Sequence, residues 1–146
     1  MSVPAILYRG DKCGLTSVGF ESFEAKSRGK TAALKDLLAV DTDELDRRMQ
    51  NHASSKFLSC FVSTTNDIRV ACYFATTGCT NNGCIYVLQN SALARSNPFN
   101  AGDLILCDGK TLAKEQEWVW FSYIDPKFIL DEIMVSPADC RCLPNP

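Results

Sequence analysis

Histidine is almost missing from this chain: His52 is the only one among 146 residues. There is no Cys-x-x-Cys pair either, so the usual donor sets for zinc are lacking and no metal is expected. No apolar run approaches the ~20 residues that a membrane helix requires. The opening MSVPAILYRGD lacks a basic start, a long apolar stretch and a small-residue cleavage site, so no secretory leader is visible. A marked excess of either charge is lacking as well. With 15 basic and 17 acidic residues the formal charge is −2, which gives no broad basic footprint for nucleic acid, although a local basic pocket remains compatible with it. No internal repeat and no low-complexity linker interrupts the chain.

What is present fits one domain, residues 1–146, with a single core. Its 46% hydrophobic content is ordinary for a globular protein. The eight cysteines are Cys13, Cys60, Cys72, Cys79, Cys84, Cys107, Cys140 and Cys142. Cys79 and Cys84 flank the turn-rich TNNG and would close a small loop in an oxidising compartment. Cys60 and Cys72 lie in apolar stretches and read as buried thiols.

AILYRG, Ala5 to Gly10, reads as a first strand. Phe20 to Ala25 and Thr31 to Val40 read as helical, the latter with Ala33, Leu34, Leu37 and Leu38 on one stripe. Asp41 or Thr42 would cap another helix over Asp43 to Asn51. A strand over Lys56 to Thr65 leads to a helix capped by Asn66 or Asp67. That helix should bury Ile68, Ala71, Cys72 and Ala75 and stop at Gly78, with Tyr73 and Phe74 expected in the core. Gly83 to Asn90, Asp103 to Cys107, EQEWVWFSY and Phe128 to Ser136 read as strands, and residues 137–146 as a coil tail. Helices come early and strands late, so the class is α+β.

Three polar features end apolar strands: Arg9 after Ile6-Leu7-Tyr8, Ser63 after Phe61-Val62, and Glu115 with Glu117 ahead of the tryptophans. Residues two apart in a strand share a face. The two glutamates therefore lie side by side, an arrangement that needs a cation opposite. Arginine grips phosphate with two parallel hydrogen bonds. A carboxylate beside a sugar steadies an oxocarbenium-like transition state, and a serine hydroxyl can fix that carboxylate's rotamer. Together they point to a phosphorylated sugar whose glycosidic bond is broken. Each also has a plainer reading. Arg9 could pair with an exposed acid, Ser63-Thr64-Thr65 could cap a helix, and the glutamates could protect a sheet edge. His52 could be a helix-end residue near the C-terminal dipole.

LYRGD, FVSTT and EQE, in that order on three strands, resemble the Arg–Ser–Glu class of mono-ADP-ribosyltransferases, the class of the cholera and heat-labile enterotoxin catalytic chains. The resemblance runs from Ala5 to about Val135, includes GCIYVLQNSALARSNPFN, and departs at Ser-Thr-Thr where Ser-Thr-Ser is usual. It implies two small packed sheets around an NAD cleft with flanking helices, and transfer of ADP-ribose from NAD to a protein arginine. Arg9 would bind an NAD phosphate, with Gly10 and Asp11 beside it. Ser63 would orient Glu117, Glu117 would stabilise the oxocarbenium ion, and Glu115 would hold and deprotonate the acceptor. Thr64 and Asp11 would support the cleft, His52 would be a further NAD contact, and the loop Asp108 to Lys114 would recognise the acceptor. The acceptor's guanidinium is the cation that the paired glutamates require. The resemblance further implies a secreted or translocated, toxin-like effector with NAD hydrolysis as a side activity. Transfer to a nucleic-acid base, or NAD or partner binding without turnover, are the alternatives.

Overall fold

Leu7 is fully buried between two less buried neighbours, the mark of a strand with one covered face. Ile6–Asp11 form β1. The computed structural model describes residues 5–41, 43–44, 47–48, 61–89, 104–106 and 117–142. In chain order there follow β2 (Phe20–Glu21), α1 (Phe23–Arg28), α2 (Lys30–Ala39), β3 (Phe61–Thr65), α3 (Ile68–Ala75) and β4 (Gly83–Gln89). Then come β5 (Leu104–Leu106), β6 (Glu117–Phe121), β7 (Tyr123–Ile124), a 3-10 turn (Pro126–Phe128), β8 (Ile129–Val135) and α4 (Pro137–Cys142). The result is a mixed α+β domain with two antiparallel sheets. One is six-stranded in the order β5-β6-β3-β1-β4-β8, the other the β2–β7 ribbon.

The two faces of the large sheet carry separate cores. On one, Leu7, Val62, Tyr86, Leu88, Trp118 and Trp120 pack with Phe20, Ile124 and Phe128, so the small ribbon covers this face. On the other, Ala71, Cys72 and Ala75 of α3 lie against Ile85, with Tyr8, Ile68 and Val135 at the margin. The helix sits directly on the strands because two of its contact points are glycines. A Cβ on Gly10 would collide with the Ala71 carbonyl, and one on Gly83 with the Ala75 carbonyl.

Several expectations need correction. The segment Phe20 to Ala25 is a strand followed by a helix: Phe20 pairs with Ile124, and the Ser22 hydroxyl accepts from the Ala25 amide at 3.0 Å, starting α1 only at Phe23. The tail is helical over Pro137–Cys142. Ser136 and Asp139 cap each other's amides, the reciprocal arrangement that begins helices, and proline is tolerated in a first turn. Residues 143–146 lie outside the described residues. Cys84 is bonded to Cys13, not to Cys79, and Cys72 is bonded to Cys140 instead of being a free thiol. The sequence neighbours of TNNG face different partners because β4 carries Cys84 opposite Asp11, beside Cys13. Tyr73 and Phe74 are not core: they are 56% and 45% exposed.

Candidate functional site

β1 and β3 are neighbours joined by a single register pair, Tyr8 with Thr65. On their outer sides each is well paired, β1 with β4 over six rungs and β3 with β6 over five. The large sheet is thus two three-stranded halves, β5-β6-β3 and β1-β4-β8, that part company beyond one rung. An opened ladder leaves backbone groups needing partners. Arg9 supplies one: its Nη1 donates to the Ser63 carbonyl at 2.8 Å. Its Nη2 donates to the Asp11 carboxylate at 2.9 Å, and the guanidinium lies 5.1 Å from the centre of the Phe20 ring. Phe20 in turn meets Tyr86 edge-on at 4.9 Å.

The loop after β1 is tied down from behind. Cys13 is bonded to Cys84. The Tyr86 hydroxyl accepts from the Leu15 amide at 3.0 Å and donates to the Lys12 carbonyl at 2.7 Å. Glu132 accepts from the Gly14 amide and the Thr16 hydroxyl. Burial of the ring, with the Glu132 carboxylate nearby, pushes the Tyr86 phenol up to about 12. The Tyr86 hydroxyl and the Gly14 amide hold the Glu132 carboxyl below the usual glutamate range.

A cleft of about 560 Å³ opens where the halves separate, within the range of small-molecule sites. Its floor is Tyr8 to Lys12 with Ser63 to Thr65, and its roof is Val70, Ala71, Phe74 and Ala75 of α3. Of the expected site residues, Arg9, Gly10, Asp11, Ser63 and Thr64 are brought together here. Their parts differ. The Thr64 hydroxyl donates to the Trp118 carbonyl and accepts from Trp120 Nε1, so this buried residue braces the sheet. Gly10 admits the helix, and Asp11 holds the guanidinium. Helix capping falls to Thr65, which accepts from the Asp67 amide, and to Asp67, which accepts from the Arg69 amide. The Arg69 guanidinium grips both Asp67 oxygens and holds that carboxyl below its usual range.

Glu117 stands on β6 as the register partner of Thr65. Strand pairing thereby carries Glu117 to the rung where the sheet divides. Glu115, His52, Thr42, Cys60, Cys107 and the loop Asp108 to Lys114 lie outside the described residues.

Val70, Thr77, Asn81, Asn82 and Lys12, unmarked by any motif, also line the cleft, as does Phe74, which was expected in the core. The signal that could have found Phe74 is its position in α3, three residues past Ala71 and off the buried Ala71-Cys72-Ala75 stripe. For the asparagines it is their place between a helix end and a strand, where loops carry ligand contacts.

The chain belongs to the family described as a domain of unknown function, DUF7587, whose profile matches residues 2–137. No curated protein matches it.

Proposed function

We propose that this DUF7587 domain is an NAD-dependent mono-ADP-ribosyltransferase directed at an arginine of a target protein. The observation that carries the reading is the split sheet: a guanidinium bridges the parting strands beside Ser63 and lines a cleft of about 560 Å³, with Glu117 at the adjoining rung. Arg9 suits an anionic ligand. Among the described residues two of its five N–H groups meet protein oxygens and Nε has no hydrogen-bond partner, an unmet donor of the kind a phosphate oxygen satisfies. Lys12 adds a second cation to the same lining.

In this reading Arg9 holds the diphosphate, Ser63 orients Glu117, and Glu117 steadies the ribosyl cation. The bond from ribose C1′ to the nicotinamide nitrogen breaks, its electron pair leaving on nicotinamide. A guanidine nitrogen of the acceptor forms the new bond to C1′, and its proton passes to Glu115. Water in the acceptor's place gives hydrolysis. Two disulfides support folding in an oxidising compartment, in keeping with a secreted, effector-like protein.

One observation favours a second reading, binding without turnover: Arg9 is already committed to Ser63 and Asp11, as a purely structural arginine would be. Incubation with labelled NAD and a cell lysate separates the two. The expected result is an ADP-ribosyl mass shift on protein arginine, abolished by Glu117→Gln with NAD binding retained. Binding without consumption of NAD, by transfer or by hydrolysis, would leave the second reading. A label on DNA in place of protein would redirect the acceptor to a nucleic-acid base.

A further inference from the structure

The cleft has a direction that the register makes explicit. Tyr8, Val87, Thr65 and Glu117 occupy one level of the sheet. Asp11 and Cys84 stand three residues further along β1 and β4, about 10 Å away at ~3.4 Å per residue. Lys12 and Asn82 continue past that level and line the same cleft. The Glu117 backbone therefore stands level with one end of the cleft, and Lys12, Thr77, Asn81 and Asn82 lie at the other.

The far end is held by an unusual turn. Thr77, Gly78 and Cys79 have φ of 51°, 69° and 66°, a left-handed run that costs of order 1–3 kcal/mol for each non-glycine residue unless its surroundings enforce it. Fully buried Thr76 enforces it. Its hydroxyl accepts from the Cys79 amide at 3.1 Å and touches Cys140 Sγ at 3.4 Å. Its carbonyl accepts from the amides of Thr80 and Asn81. The turn ends on Gly83, against which Ala75 packs, so Phe74 and Asn82 flank one contact. Among the described residues neither the Asn81 nor the Asn82 carboxamide is taken up by a hydrogen bond, although both line the cleft.

We propose that Asn81 and Asn82 recognise the adenine of the dinucleotide, against the apolar wall that Val70 and Phe74 provide, with Lys12 toward the adjoining phosphate. The proposal rests on the NAD reading and adds the ligand's orientation. If the scissile ribose lies by Glu117, the diphosphate at Arg9 sends the adenosine half toward Asn82. A carboxamide pairs with adenine by accepting from N6 and donating to N7, a match worth about 1–3 kcal/mol against the wrong base. An exposed phenyl ring gives the base a face to lie on.

The test compares NAD with nicotinamide hypoxanthine dinucleotide, in which a carbonyl replaces the adenine amine. Binding is measured by calorimetry on the wild-type chain and on Asn81→Ala/Asn82→Ala, each checked for an unchanged melting temperature. The wild type is expected to prefer NAD by about 5- to 150-fold, the discrimination cited above. The double variant is expected to lose that preference while keeping its affinity for nicotinamide mononucleotide. Asn81→Asp and Asn82→Asp, each tested singly, serve as second variants should the alanine pair not fold. At least one should weaken NAD while leaving the mononucleotide unaffected. Tight NAD binding with no base preference, or a preference kept in the variants, overturns the inference and leaves the enzyme reading standing. Failure of the wild type to bind NAD at all overturns both.

Discussion

Arg9 donates to the carbonyl of Ser63 across a gap that backbone pairing has left open. One side chain thereby joins two half-sheets, and the same guanidinium faces the cleft. Arg9→Lys keeps the charge but not the planar fork. It cannot satisfy Ser63 and Asp11 together in the present geometry. Hydrogen bonds to charged groups contribute about 1.5–3 kcal/mol each, so Arg9→Lys is expected to lower the melting temperature by several degrees and, on the proposed function, to weaken NAD binding. A melting temperature equal to wild type would show that the bridge does not hold the halves together.

Gly10 tests the roof of the cleft. Its missing Cβ is the space occupied by the Ala71 carbonyl. Gly10→Ala must lift α3 from β1 or twist the strand, and overpacking of this kind costs about 1–3 kcal/mol, occasionally more. The denaturant midpoint should fall and the cleft should widen. Gly14→Ala is the control, since nothing stands near a Cβ there, although its φ of 89° carries a cost of its own. Equal midpoints for Gly10→Ala and wild type would contradict the close helix–sheet contact.

The strands were readable where composition and alternation agreed. Gly83–Gln89 and Ile129–Val135 fall within a residue or so of expectation, and Asp67 caps α3 as its sequence suggests. What could not be read depended on partners distant in sequence. Nothing local says that Cys84 meets Cys13, because only the β1–β4 register sets them side by side. Phe20 reads as helical until Ile124 pairs with it. Tyr73 and Phe74 looked like core because aromatic content cannot show which side of a helix is covered. Of the site, Arg9 and Ser63 were legible as motif residues. Their joining through the Ser63 backbone was not, since it follows from strands that separate, and no residue type encodes that.

The Cys13–Cys84 bond spans 71 residues. On the chain-entropy account a loop of that length stabilises by about 4 kcal/mol. Cys13→Ser/Cys84→Ser should therefore lose a large part of the fold's stability, and the segment carrying Lys12 should exchange its amides faster. A non-reducing digest checks the pairing directly. It should yield Cys13 linked to Cys84 and Cys72 linked to Cys140, with Cys79 open to alkylation. A Cys79–Cys84 peptide would contradict this arrangement.

Glu132 gives the same loop a dependence on pH. Its carboxylate receives the Gly14 amide and the Thr16 hydroxyl, and it is held below the usual glutamate range. A carboxyl with a lowered folded-state pKa stabilises the native state above its ordinary value, about 4.3, and loses that contribution as pH falls through the lowered value. Tyr86 works from the other side. Its phenol is pushed up to about 12, so its contribution is complete below about pH 10, the ordinary tyrosine value, and is lost as pH climbs toward 12. The anchor behind Arg9 is thus whole between those limits. Urea midpoints for wild type and Glu132→Gln should differ at neutral pH and draw together as pH falls below the ordinary glutamate range and through the lowered value, where the wild-type carboxyl takes up its proton. Tyr86→Phe should lower the midpoint at neutral pH and remove the alkaline part of the decline. A gap between wild type and Glu132→Gln that is the same at pH 3 as at pH 7 would mean that this carboxylate does not hold the loop by its charge.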